Sequence, residues 1–161
     1  MSAPGFHIAT AVSSGDLTDV AALFSAYAAA LGVDLGYQDF AAELAALPGK
    51  YAPPQGALLL ARGAAGHALG CVGLRPLPQL AGACEMKRMY VAPAARGLGL
   101  GRALAGAIVA EARRLGYARM VLDTLPTLGA ALALYAELGF APIAPYYHTP
   151  IAETVFLSLV L

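Results

Sequence analysis

Behind the polar stretch Ser13 to Asp16, Leu17, Val20, Leu23, Phe24 and Tyr27 recur three or four residues apart. That spacing predicts an amphipathic helix, capped by Ser, Gly or Asp and ending near Gly32. FHIATA at 6–11 has strand character, and a shorter helix is expected from Tyr37 to Leu47. LPGKYAPPQG, residues 47–56, is turn chemistry throughout and reads as a surface loop. ALLLAR (57–62) and HALGCVGLRPL (67–77) are strands parted by a glycine-rich turn, a hairpin pattern. ACEMKRMYVAP (83–93) alternates and reads as the next strand, ended by Pro93. The strongest helical pattern runs from Leu98 to Leu115. Leu100, Leu104, Ile108 and Leu115 share one face there, and Arg113 and Arg114 stand near the negative end of the helix dipole. ARMVLDTL (118–125) is a buried-type strand, and TLGAALALYAELGF (127–140) is an amphipathic helix stopped by Gly139. Two last strands are expected around Phe140 to Tyr147 and Glu153 to Val160.

The order strand, two helices, three strands, helix, strand, helix, two strands contains no repeat and no long linker. It predicts an α/β (α+β) fold over residues 1–161: one mixed, mostly antiparallel sheet of six or seven strands flanked by about four helices. The 161 residues suffice for one domain with a real core. Ten basic and ten acidic side chains cancel, which argues against a nucleic-acid surface. No apolar run reaches the roughly 20 residues of a membrane helix. The opening MSAPGFHIAT lacks the basic end and apolar centre of a secretion signal. Cys71 and Cys84 have neither metal-ligand nor disulfide spacing, so a cytoplasmic protein without a metal is expected. Only 12% of residues are charged, which leaves room for a homodimer that covers apolar surface.

The segment between the third hairpin strand and the long helix carries the first chemistry. In RGLGLGR, residues 96–102, three glycines stand two apart between two arginines. At a helix start the backbone amides lack internal partners and the dipole is positive. Glycines let an anion approach, so the loop is a candidate phosphate site as well as a plain strand-to-helix turn. A Walker loop needs Lys and then Ser or Thr after its last glycine, but Arg102 and Ala103 follow Gly101. A dinucleotide fingerprint from Gly97 or Gly99 would need glycine where Arg102 or Leu104 stands.

Arg96-Gly-Leu-Gly99-Leu-Gly101 instead resembles the (Arg/Gln)-x-x-Gly-x-(Gly/Ala) pyrophosphate motif of the GNAT superfamily of acyl-CoA-dependent N-acetyltransferases. EMKRMYVAPAA is similar to that family's central strand, and ALALYAELGF to its last helix. The resemblance spans roughly residues 6–161, and LDTLP (122–126) with Pro145-Tyr-Tyr147 resembles a bacterial subgroup. It implies that Arg96, Gly97, Leu98, Gly99, Leu100, Gly101 and Arg102 hold the coenzyme A pyrophosphate, mostly through backbone. Met89, Tyr90 and Val91 would pair with the pantetheine arm, the amide of Met89 holding the thioester carbonyl. Tyr135 would protonate the departing thiolate, or else be a core tyrosine. Glu85, eleven positions before Arg96, would be the base that frees the amine, or else a glutamate paired with Lys87 or Arg88. Lys87 and Arg88 are read as solvated or charge-pairing.

The family often carries Asn where Leu128 stands, and Thr124 and Thr127 are the polar groups nearby that could substitute. Tyr146, Tyr147 and His148, between prolines, border the acceptor pocket or plug the C-terminal hairpin. Cys84 reads as a small apolar filler, and His7 and His67 as incidental. The expected activity is acetyl transfer from acetyl-CoA to a primary amine of a small molecule or peptide, through a ternary complex. The competing reading is a non-catalytic acyl-CoA-binding or sensor module, which would not need Tyr135. The fold hosts many acceptors, and nothing in the sequence selects one.

Overall fold

The computed structural model describes residues 5–161; Met1 to Pro4, which the sequence reading includes in the domain, lie outside them. Seven strands form one sheet in the order β1-β2-β3-β4-β5-β7-β6. They are β1 Phe6–Thr10, β2 Ala57–Gly63, β3 Ala68–Pro76, β4 Ala83–Val91, β5 Arg119–Thr124, β6 Ala141–Pro142 and β7 Val155–Val160. Four helices accompany them: α1 Ser14–Leu31, α2 Phe40–Ala45, α3 Leu100–Arg114 and α4 Gly129–Leu138. Every pairing is antiparallel except β4 with β5, whose strands are joined by the α3 crossover.

The N-cap of α1 is Ser13, which accepts the Asp16 amide at 3.0 Å while Asp16 takes the Ser13 amide at 3.2 Å, a reciprocal capping box. Val20, Leu23 and Phe24 bury its apolar stripe against Leu58, Leu60 and Cys71 on one sheet face. Leu59 and Ala61, alternate residues of β2, point to the other face. There they meet Leu100, Leu104 and Ile108, the α3 stripe read from the sequence. Both faces are thus covered, which explains why β2 is almost continuously apolar.

Two expectations change. The strand expected over 140–147 shrinks to Ala141–Pro142, because Pro142 and Pro145 lack the amide a longer ladder needs. The chain from Ile143 then runs as an irregular segment that brings Tyr146 and Tyr147 back over the sheet. LPGKYAPPQG is not wholly on the surface either. It holds a 3-10 turn, Gly49–Tyr51, that buries the Tyr51 ring to 1% exposure. The ring lies over β3 where Gly73 has no side chain; a Cβ there would stand 2.6 Å from Tyr51 Cε1.

Gly73→Val should therefore cost roughly 1–3 kcal/mol by overpacking. Gly106→Ala, in the open middle of α3, should instead stabilise by about 0.5–1 kcal/mol. Urea unfolding of both variants checks the contrast.

Candidate functional site

β4 and β5 start as neighbours and then part. Their pairing is Ala83 with Arg119, Cys84 with Met120 and Glu85 with Val121, and it stops there. β3 stays with β4 throughout, but between Cys71 and Gly73 the register shifts, so that Val72 faces both Arg88 and Met89. The extra residue is a β-bulge, and Arg88 takes a left-handed φ of 59°. Beyond the bulge the Ala92 amide donates to Leu69 at 2.8 Å. Alternation along an antiparallel ladder then turns the Tyr90 amide toward β3 and the Met89 and Val91 amides away from it, into the gap beside β5. Of the three strand residues expected to meet pantetheine, Met89 and Val91 thus offer backbone to the gap. Tyr90 instead packs its ring on Tyr27 at a centroid distance of 6.4 Å.

At the far end of β4 the glycine loop begins. Gly97 and Gly99 have φ of 85° and 78°, values that suit residues without a Cβ. The amides of Gly97, Leu98 and Gly99 donate to no group among the described residues. Leu100, Gly101 and Arg102 form the first turn of α3, whose amides have no partner one turn back. The Leu100 side chain is buried in the core, so only its backbone faces the loop. Leu98 is exposed, Arg96 Nε donates to the Val91 carbonyl at 3.3 Å, and Arg102 pairs with Glu137 at the surface. This amide-lined helix start sits at the open end of the β4–β5 gap, at the positive end of the crossover helix, an arrangement whose chemistry suits an anion.

Along the gap, Met86, Met89, Asp123, Leu128 and Tyr135 line a narrow cavity of about 40 Å³. Tyr135 is the buried residue of α4, packed edge-on to Phe140. Its hydroxyl makes no hydrogen bond among the described residues. Burial, reinforced by Tyr27 and Asp123, pushes its pKa well above the ordinary 10.0 and keeps the phenol protonated. Leu128 stands at the start of α4 without a side-chain cap, buried Thr124 lines the same cavity, and Thr127 is exposed.

On the other side of β4 lies a cavity of about 500 Å³, walled by α2, the Tyr51 turn, Arg75, Glu85 and Lys87, and covered by Tyr146 and Tyr147. Its walls are a hydrogen-bonded charge network. Glu85, 1% exposed, receives Arg75 Nε at 2.9 Å and the Tyr146 hydroxyl at 2.5 Å, with Lys87 Nζ 3.7 Å away. Lys87 reaches Asp123 at 3.3 Å and the Gln38 carbonyl oxygen at 3.0 Å. Asp123 also accepts the Tyr147 hydroxyl at 2.5 Å and the Gln38 amide at 3.2 Å. Arg88 forks onto Glu43 at 3.0 and 3.1 Å, over the Phe40 ring, and Tyr51 donates to the same carboxylate at 3.0 Å. Burial first, and the adjoining carboxylates second, raise the Tyr146 and Tyr147 hydroxyls far above 10.0, so both remain donors.

Of the two readings of Lys87 and Arg88, solvated or charge-pairing, the structure shows the second: they are 4% and 3% exposed and pair with Asp123 and Glu43. His148 is exposed and does not line the cavity, unlike the two tyrosines before it. Cys84 is buried filler, its thiol pushed up to about 12 by burial. Sequence reasoning missed Asp123, Arg75, Gln38, Glu43 and Tyr51. Asp123 and Arg75 had a signal, each a charge inside an apolar strand. Gln38, Glu43 and Tyr51 had none, since they meet the strands only after folding.

Burial works against ionising Asp123, but Lys87, the Tyr147 hydroxyl and Arg88 outweigh it and hold the carboxyl below its ordinary 3.8. A depressed folded value means stability that is present above 3.8 and lost as pH falls through the folded value. Asp123→Asn should flatten the acid side of the stability curve below about pH 5, as read by urea unfolding across pH. An unchanged acid slope would show that Asp123 is not held in its ionised form by its partners.

Comparison with known proteins agrees with this geometry. Residues 21–140 match the model of the family described as Acetyltransferase (GNAT) family. An uncharacterized N-acetyltransferase of Schizosaccharomyces pombe is 46% identical over 144 residues, covering 89% of this chain and 88% of its own. Similarity at that level extends to a eukaryote, so a bacterial subgroup is not marked out. Among solved structures, an acetyltransferase of Streptococcus agalactiae aligns with a TM-score of 0.79 at 21% identity, over 98% of this chain and 99% of that one. A Salmonella typhimurium protein solved with its cofactor acetyl-CoA aligns with a TM-score of 0.66 at 24% identity, over 97% and 94%. At those identities the two structures show the shared fold. With the family match and the yeast relative, the chain belongs to the GNAT family of acetyltransferases.

Proposed function

We propose that the chain transfers an acetyl group from acetyl-CoA to the primary amine of a small molecule or peptide, by direct attack within a ternary complex. One observation carries the reading: β4 and β5 part after Glu85 and Val121, so the Met89 and Val91 amides, turned away from β3 by the alternation of the ladder, face the gap beyond which the amide-lined loop begins. The residues present suit the donor. The loop amides from Gly97 to Arg102, at the positive end of α3, accept a pyrophosphate, and the strand amides accept the amides of a pantetheine arm as another strand would. Acetyl-CoA supplies an activated acyl carbon and a thiolate leaving group.

The Met89 N–H donates to the thioester oxygen as negative charge develops on it, from a position fixed by the bulge. Glu85 takes one proton from the incoming ammonium, directly or through the Tyr146 hydroxyl that it holds. The nitrogen–carbon bond then forms and the carbon–sulfur bond breaks. Tyr135 gives its proton to the departing sulfur and regains one from the acylated nitrogen, so the net release is a single proton. No covalent enzyme intermediate is needed, and Cys84, buried with a raised pKa, offers no nucleophile.

Tyr135→Phe should lower kcat by about 10²–10⁴-fold while coenzyme A affinity changes little, read by thiol release and calorimetry. Unaltered turnover would remove Tyr135 from the chemistry. A chain that binds acetyl-CoA but releases no thiol with any amine would instead be a binding module. Gly99→Val forces a side chain into a left-handed conformation at the helix start. It should weaken coenzyme A binding at least about tenfold with the fold intact by circular dichroism. Retained affinity would reduce the loop to a turn.

A further inference from the structure

The wall charges of the large cavity balance. Asp39, Glu43 and Glu85 stand against Lys50, Arg75 and Lys87, so net charge does not choose the acceptor. Hydrogen-bonding capacity does. Both oxygens of Glu43 are taken by Arg88, one of them also by Tyr51. The oxygens of Glu85 are taken by Arg75 and Tyr146. Asp123 behind them receives Lys87, Gln38 and Tyr147.

Arg75 is the opposite case. A guanidinium has five N–H donors in a planar fork. Only Nε is used, toward Glu85, and the two terminal nitrogens have no partner among the described residues. The side chain is 20% exposed, lines the cavity and sits opposite Glu85 in the β3–β4 register. Asp39 and Lys50, also without a side-chain partner among the described residues, are exposed and opposite in sign. The partly buried group the cavity offers an incoming molecule is therefore the Arg75 fork, the complement of a carboxylate.

We propose that the acceptor is an amino carboxylate, an amino acid or short peptide whose free carboxylate is held by the terminal nitrogens of Arg75. The assignment deepens the acetyl-transfer reading and rests on it for the fate of the amine. Because Glu85 is bonded to the same guanidinium, the anchor also sets the amine on the side of the cavity where its proton is collected. Arg75 is a specificity residue in this scheme and takes no part in bond making.

Matched acids and primary amides test it: lysine, phenylalanine and glycylglycine against lysinamide, phenylalaninamide and glycylglycinamide. Thiol release from acetyl-CoA gives kcat/KM for each, and calorimetry on the coenzyme A-saturated protein gives binding without turnover. The amide amines are less basic and would otherwise react faster, so a preference for the acid cannot come from intrinsic reactivity. At least one acid should exceed its amide by about tenfold or more. In Arg75→Lys, which keeps a positive charge beside Glu85 but loses the fork, that ratio should fall toward one.

Amides used as well as acids would overturn the carboxylate site and leave acetyl transfer standing. Acids that bind through Arg75 without any thiol release would leave the site standing and overturn the transfer reading. Silence of every pair in both measurements, or an acid preference that survives in Arg75→Lys, also overturns the site.

Discussion

Lys87 and Asp123 meet by their side chains two residues beyond the last backbone pair, Glu85 with Val121, at the point where β4 and β5 separate. Both are largely buried, so the pair is screened much less than a surface pair. Removing one member of such a pair typically costs about 3–5 kcal/mol, because the other is left as an unpaired buried charge. The ion pair spans strands that no longer share a ladder. Gln38 caps it from the first turn region, and Tyr147 caps it from the C-terminal segment. The charge network thus performs a job that main-chain hydrogen bonds perform elsewhere in the sheet, and it leaves the β4 amides free.

That freedom divides the site into three regions with different physics. At the mouth, glycines and a helix start present backbone donors without charge. In the middle, a narrow cavity is lined by Met86, Met89 and Leu128 together with the polar groups of Asp123, Thr124, Tyr27 and Tyr135, and burial keeps the Tyr135 phenol protonated. On the far side of β4 the ions and tyrosines hold each other in place. Their geometry is fixed before any molecule enters, which is the condition for electrostatic stabilisation without reorganisation. The bulge at Arg88 links the regions: it shifts the register of β4 by one residue, aims Met89 at the gap and lets Arg88 lock onto Glu43.

Much of this was legible from residue pattern. The α1 and α3 stripes, the hairpin of β2 and β3 and the stop at Gly139 follow from periodicity and glycine placement, which depend on neighbours close in sequence. The glycine loop was legible for the same reason. The network was not. Gln38, Glu43 and Tyr51 lie in short turns whose local sequence carries no signal of the strands they reach. Lys87 and Arg88 were legible only as solvated or charge-pairing, because the sequence does not say which acidic groups reach them. Their burial depends on partners 36 to 49 residues away, and on a bulge that no alternation pattern announces. The stretch to Tyr147 looked like a strand from its apolar residues, but prolines at 142 and 145 end the ladder and free the tyrosines to turn over the sheet.

The central claim is that the gap beside β4 receives the acyl donor on the Met89 and Val91 amides. Amide-resolved hydrogen exchange by NMR, with and without saturating acetyl-CoA, tests it at those two atoms. The account predicts that Met89 and Val91 gain strong protection on binding, while Tyr90, already paired with β3, changes little. Exchange at Met89 and Val91 that is unaffected by bound acetyl-CoA would contradict it.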